Sequence, residues 1–279
     1  MSNLRKRAGN LLRRDRFIWY IHRIFKSAKE PFIPRSHNTM PILIFGMQRS
    51  GTTMLLIMFT KNPLVKGYSE HPGNSLFYRH RIRSLECLRD HIAKTRYPFL
   101  AVKPICDSHI ASDIISGLDD CRALWSLRDY RDSALSSLKK FSSPATVMES
   151  LCRGRKAETG WFGEGIPDSD LELIKSIYGS GKKLSPYDLS CLVWWARNRS
   201  FFHQSLQNND KVRVVSYRKM AEDSGYILDD IASFLGLRIK PKHAGFIHSR
   251  SVGKPSYPGL NNRIEGICDE LYRKFYALS

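Results

Sequence analysis

Short uninterrupted apolar runs alternate with longer stretches of helical spacing along most of this chain. Ile42 to Phe45, Phe99 to Lys103, Ala123 to Leu127 and Val212 to Ser216 have the length and character of strands buried on both faces of a parallel sheet. The run MLLIMF carries a helix over 52–61, after which the chain passes through Val65-Lys66-Gly67-Tyr68 toward Glu70. Helical patterns recur over Tyr187 to Leu206, with Trp194 and Trp195 inside, over 224–235 before Gly236, and over Asn262 to Tyr276. Strands alternating with helices predict an α/β protein built on a central parallel sheet flanked by helices. From Ser142 to Gly181 no clean period emerges, and the stretch mixes Gly, Ser and charge with Trp161, Phe162 and Tyr178. It is expected to be an irregular insertion over the site, a lid on the acceptor side over residues 142–181.

The chemistry begins where the first apolar run ends. Gly46 and Gly51 are separated by four residues, and Thr52-Thr53 opens the helix, so the order is strand, glycine loop, helix. Glycines let successive N–H groups turn inward, and the helix N-terminus adds partial positive charge, which together make an anion cradle. A nucleotide triphosphatase carries Gly-Lys-Ser/Thr here, with the lysine on the β and γ phosphates. This chain has Gly51-Thr52-Thr53, and its nearby cation is Arg49, two residues before the second glycine. A second segment, LWSLRDYRDSALSS, ends an apolar run in Arg128-Asp129 and enters a helical pattern. Arg128 and Ser136 are eight residues apart, a spacing that suits a strand-end arginine and a hydroxyl two turns up the next helix, both facing one anion. The plainer alternative has Asp129 or Asp132 capping the helix and Arg128 in a surface ion pair.

GMQRSGTT resembles the 5'-phosphosulfate loop of sulfotransferases that use 3'-phosphoadenosine-5'-phosphosulfate, PAPS, in the bacterial and carbohydrate branch where arginine replaces the loop lysine. Arg128 and Ser136 resemble that family's 3'-phosphate motif. The resemblance implies a three-layer fold like that of the P-loop proteins, with PAPS as donor, PAP as product and no metal. It assigns Gln48, Arg49, Ser50, Gly51, Thr52 and Thr53 to the 5' end of the donor, and Arg128 and Ser136 to its 3'-phosphate. Tyr217 closes the strand VRVVSY and is similar to the tyrosine of the family's strand-end motif near the adenine, although Arg218-Lys219 replaces the usual acidic pair. Arg250 and Lys254, in HSRSVGKPS, resemble in place the basic loop that closes on the 3'-phosphate, at a different spacing.

Sulfuryl transfer to a hydroxyl needs a base beside that hydroxyl and cations where the leaving phosphate gains charge. The resemblance makes Lys103, in AVKP, the catalytic lysine, with Arg49 as the second cation. The cytosolic branch carries a histidine two residues after that lysine, and Ile105 stands there instead. Glu70, in GYSEHPGN, sits where tyrosylprotein and glycan-type relatives place a catalytic glutamate, and is the expected base, with His71 and His109 as the alternatives.

Charge agrees with an anionic donor: 45 Lys+Arg against 26 Asp+Glu give a formal net charge of +19. Ten basic residues against two acidic ones precede Met40. Leu4, Leu11, Ile18 and Phe25 recur there every seventh residue, joined by Leu12 and Trp19, which predicts a basic amphipathic helix ending before Pro31. That arm, 1–39, either packs on the domain at 40–279 or meets an anionic membrane surface or acidic glycan. Nucleic acid is not an expected partner. The six cysteines form no CxxC pair, and no apolar run reaches the ~20 residues of a bilayer span, so a cytoplasmic protein with reduced thiols is expected, with peripheral membrane contact left open. Two other classes remain: a P-loop kinase, which lacks its loop lysine here, and a non-enzymatic polyanion binder, which has no need of Ser136 beside Arg128.

Overall fold

Pro41 to Gly46 is buried on both sides, and its alternate residues feed two separate cores. This is strand β1, Met40–Gly46, at the centre of the sheet. In the computed structural model, residues 26, 28–34, 38–70, 74–140, 144–181, 183–247, 252–253 and 256–279 are described. The other strands are β2 (Val65–Ser69), β3 (Phe77–Tyr78), β4 (Arg81–Ile82), β5 (Phe99–Lys103), β6 (Arg122–Leu127) and β7 (Val212–Ser216). Five of them form one all-parallel sheet in the order β2-β5-β1-β6-β7, while β3 and β4 make a separate antiparallel hairpin. The order reverses direction at β1, which pairs with β5 on one side and β6 on the other, and the crevice beyond such a switch point is where open α/β sheets bind ligands.

Ile42 and Ile44 pack with α1 (Thr52–Thr60) and with α9, the helix Ser224–Leu235, through Leu55, Phe59 and Ile231. Leu43 and Phe45 face the larger core with Trp125, Trp194 and Phe201. That layer contains α2 (Leu85–Lys94), α3 (Ala111–Ser116), α4 (Tyr130–Leu138), α5 (Pro144–Cys152), α6 (Asp168–Tyr178) and α7 (Pro186–His203). Two short helices, α8 (Tyr217–Glu222) and α10 (Pro241–Ala244), flank α9, and α11 (Asn262–Tyr276) closes the larger core through Ile264, Leu271 and Phe275. Helices on both faces of a parallel sheet make the predicted three-layer α/β architecture.

Helix α7 organises the larger core because it is buried almost all round. Its start is set by a capping box, in which the Ser185 hydroxyl accepts from the Asp188 N–H at 3.1 Å and the Asp188 carboxylate accepts from the Ser185 N–H at 2.7 Å, with Pro186 at the first position. Its polar side chains are spent inside: Trp194 Nε1 donates to the Arg128 carbonyl at 2.9 Å, and Asn198 Oδ1 accepts from Trp125 Nε1 at 3.2 Å.

The structure departs from the sequence reading at three places. Val65–Ser69 is a fifth strand of the main sheet, its buried positions alternating as an edge strand's do. The segment expected to be irregular folds into α5, a 3-10 turn over Lys156–Phe162, and α6. Gly154, Gly160 and Gly165, all at positive φ, break it into pieces too short for a period to show. Tyr217 begins α8 instead of closing β7, because Ser216 accepts from the Lys219 N–H at 3.3 Å and caps the helix.

Of the N-terminal arm, the described residues dock at the end of the sheet opposite the glycine loop. Lys26 Nζ donates to the carbonyls of Thr60, Asn62 and Val65 at 2.5–2.6 Å, a cation on the C-terminal end of α1. Glu30 accepts from Lys66 at 2.5 Å, from Thr95 at 2.8 Å and from the Arg96 N–H at 3.2 Å. The heptad stripe of Leu4 to Phe25 lies outside the described residues.

Candidate functional site

Between β1 and α1 the chain makes a tight loop whose backbone is partly left-handed. Gly46 has φ 126°, Gly51 has φ 103°, and Arg49, a non-glycine, has φ 71°. A left-handed arginine costs about 1 kcal/mol or more, so something must hold it. The holder is Arg128, whose Nη1 donates to the Arg49 carbonyl at 3.2 Å. Around it, Ser50 Oγ donates to the Met47 carbonyl at 2.6 Å and Ser126 Oγ donates to the Ser50 carbonyl at 2.9 Å. The Met54 and Leu55 N–H groups donate to the Gly51 carbonyl at 2.9 and 3.1 Å, and no side chain caps the N–H groups of Thr52 and Thr53 ahead of them. Two glycines are required there by space as well as by φ. A Cβ on Gly46 would lie 2.6 Å from the Ser126 carbonyl oxygen, and one on Gly51 would lie 2.5 Å from the Tyr217 ring.

The second motif arrives at the same place. β6 runs beside β1, so Arg128, just past its end, reaches the loop, and Ser136 lies two turns into α4. Arg49 Nε donates to Ser136 Oγ at 2.9 Å. The Arg128 guanidinium lies 4.9 Å from the centre of the Tyr217 ring, since β7 pairs with β6 and Leu127 stands opposite Ser216. Arg49, Arg128, Ser136 and Tyr217 therefore form one cluster over Gly51. Asp129 caps α4, its carboxylate accepting from the Arg131 N–H at 2.8 Å, but Arg128 is buried, so the plainer alternative, which puts it on the surface, holds only for the cap.

Asp132 is the group on this side that its sequence neighbourhood did not mark beyond a capping role. Its carboxylate accepts from the Gly253 N–H and from the Tyr257 hydroxyl, both at 3.1 Å, which ties the C-terminal loop to the first turn of α4. Arg250 and Lys254 lie outside the described residues, as does His71.

On the other side of β1, Glu70 and Lys103 meet. Ser69 and Lys103 are opposite each other in the β2–β5 ladder, so the residue after one strand faces the end of the next. One Glu70 oxygen accepts from Lys103 Nζ and the other from the Ile105 N–H at 2.7 Å. Both side chains are 8% exposed. Two charges buried to that depth persist only as a pair with extra hydrogen bonds, and the Ile105 N–H supplies one. The position where relatives carry a histidine thus contributes its backbone.

Behind this pair lies a network that spans distant parts of the sequence. Arg81 Nε donates to Asp107 at 2.7 Å, its Nη1 pairs with Glu164, and the Ile82 N–H donates to Asp107 at 2.8 Å. His109 Nε2 stands 3.2 Å from Glu164 and 3.3 Å from Arg81 Nη2. Burial, with the Arg197 and Arg81 charges added, lowers the His109 pKa to about 4, so at neutral pH it is an uncharged and weak base. Arg197, on α7, donates to the Trp161 carbonyl at 3.1 Å and lies 5.2 Å from the Trp161 ring, which stacks on Phe162 at 3.8 Å. Burial lowers the Arg197 pKa to about 10. Trp161 and Phe162 are anchored as a packing unit over this network.

The loop fits an anionic nucleotide donor. It offers backbone donors at a helix start, two guanidinium groups and a hydroxyl in one cradle. No group of three His, Cys, Asp or Glu side chains among the described residues is arranged to hold a metal ion, and no helix among them is long and apolar enough to cross a membrane.

The family model described as a sulfotransferase domain matches residues 40–252. No curated protein matches the sequence. Among solved structures, the chain is similar to a sulfotransferase domain from the curacin biosynthetic pathway, at 12% identity and TM-score 0.47 over 85% of this chain and 99% of that one. It is similar to a sulfotransferase from Alicyclobacillus acidocaldarius at 15% identity and TM-score 0.44, over 85% and 91% of the two chains. For sulfotransferase STF9 from Mycobacterium avium the values are 10% and 0.46, over 86% and 77%.

Proposed function

This chain belongs to the family of sulfotransferase domains, and we propose that it moves a sulfuryl group from PAPS to an acceptor hydroxyl without a metal. The observation that carries the donor assignment is the hydrogen bond from Arg49 to Ser136, which joins the glycine loop to the Arg128 motif in one anion cradle. When bound, PAPS supplies an electrophilic sulfur on a phosphate leaving group. The loop from Gln48 to Thr53 would hold the 5' end, and Arg128 with Ser136 the 3'-phosphate, while the Tyr217 ring supports the Arg128 guanidinium.

Glu70 is the base in this reading. Each carboxylate oxygen retains acceptor capacity beyond its bond to Lys103 or to the Ile105 N–H. As the acceptor oxygen bonds to sulfur, its proton passes to Glu70 and the bond between sulfur and the bridging phosphate oxygen breaks. Protonation of Glu70 removes the counter-charge of Lys103 at the step when the leaving oxygen gains negative charge, so Lys103 becomes available to that oxygen. Arg49 adds the second cation. Incubation with sulfur-labelled PAPS and a panel of hydroxyl acceptors, with a chelator present, tests this reading. Label transfer that survives chelation is expected, and transfer that needs added magnesium, or ATP-dependent phosphorylation in its place, would overturn it.

A further inference from the structure

The hairpin β3–β4 is short, basic and strained, and it touches the residue proposed as base. Tyr78 pairs with Arg81 across a two-residue turn, Arg79-His80, in which both φ values are positive, 46° and 70°. That sign pattern belongs to turns that favour Asn-Gly, so an Arg-His pair carries strain that an Asn-Gly sequence avoids. Three residues hold it. His80 Nδ1 lies 2.9 Å from the Glu70 carbonyl, Arg81 is locked to Asp107 and Glu164, and the Ile82 N–H is tied to Asp107.

What the strained turn displays is a pair of guanidinium groups on an aromatic splint. The charge of Arg81 is balanced internally. Arg79 and Arg83 are exposed, at 5.3 Å and 5.5 Å from the centre of the Tyr78 ring, and meet no carboxylate among the described residues. Tyr78 itself is 56% exposed, and its ring restricts both arginines at little further entropic cost. Two restrained guanidiniums suit the paired oxygens of a carboxylate, sulfate or phosphate.

We propose that this hairpin is an oxyanion clamp for the acceptor: the hydroxyl presented to Glu70 belongs to a molecule that also bears a carboxylate or sulfate held by Arg79 and Arg83. The proposal rests on the sulfotransferase reading for its use, but the clamp binds whether or not transfer occurs.

The test is direct binding of three probes to the full chain by calorimetry: a uronate oligosaccharide, the same oligosaccharide carboxyl-reduced, and the reduced form chemically sulfated. PAP is titrated in parallel. The expected result is about tenfold tighter binding of at least one charged probe than of the neutral one, lost in the doubly substituted Arg79→Ala, Arg83→Ala chain with PAP affinity unchanged. The carboxylated and sulfated arms say which oxyanion is read. Because the whole chain is basic, Arg238→Ala with Lys240→Ala, exposed positions near the far end of α1, serves as the charge control and should retain the preference. Equal affinity for charged and neutral probes, or equal loss in the control, overturns the clamp and leaves PAP binding intact. Absence of PAP binding with the preference retained would instead refute the donor assignment and keep the clamp.

Discussion

Around Gly51 the groups that would meet the donor hang on main-chain geometry, whereas around Glu70 they hang on paired charge. The donor side is a loop at left-handed φ, a helix N-terminus and strand-end residues whose places follow from the β1–β6–β7 pairing. The acceptor side is a set of ion pairs, the buried Glu70–Lys103 pair and the half-buried Arg81 with Asp107 and Glu164, drawn from segments far apart in the chain. Helix α7 backs both, with Trp194 fixing the Arg128 carbonyl and Arg197, three residues on, fixing Trp161. Main-chain geometry recognises a constant ligand, and paired charge can be redistributed when a proton moves. The first suits a common donor, the second an acid–base step.

That contrast can be broken by substitutions that should separate turnover from donor affinity. The largest effect is expected at Glu70. Glu70→Gln keeps the shape and removes the basicity, so turnover should fall by ~10²–10⁴ while PAP affinity stays nearly unchanged. Near-normal turnover in that variant, with activity abolished by His109→Ala, would move the base to a histidine. Next in size, Arg128→Ala removes a charge-assisted contact worth about 1.5–3 kcal/mol, so PAP should bind about 10–150-fold more weakly, and adenosine 5'-phosphosulfate, which lacks the 3'-phosphate, should lose much less, only what the loop loses with the bond to the Arg49 carbonyl. Equal losses for both ligands would mean that Arg128 supports the loop through the Arg49 carbonyl and does no more.

The smallest effect sharpens the account of the acceptor side. His109 has a folded pKa lowered from 6.5 to about 4, so the folded chain binds fewer protons than the unfolded one between those values. The contribution to stability is complete above pH 6.5 and is lost as pH falls toward 4, amounting to about 2 kcal/mol by pH 5. His109→Gln should flatten the acid limb of the stability curve measured by urea unfolding at pH 7 and pH 5. An unchanged pH slope would show that burial, with the Arg197 and Arg81 charges added, does not keep His109 uncharged.

The same contrast explains what could be read before folding. The donor cradle is written in two contiguous segments, so Arg49, Arg128 and Ser136 could be named from spacing, and four strands of the main sheet were visible as buried apolar runs. Arg81, Asp107, Glu164 and Arg197 meet only because the sheet and α7 bring them together, and each alone resembles an ordinary surface charge. Edge strand β2 was obscured by its alternation, and α5 and α6 by the glycines that divide them. Ile105 shows what reading by residue type leaves out: its side chain carries no chemistry, and its N–H holds the Glu70 carboxylate.

The central claim is that the loop and Arg128 together form a site for a 3'-phosphorylated adenosine nucleotide. Calorimetric titration of the intact chain with PAP and with AMP, both without magnesium, tests it most directly, because the two ligands differ only in the 3'-phosphate. PAP should bind at least about tenfold tighter than AMP. Equal affinities, or binding only of ATP with magnesium, would contradict it.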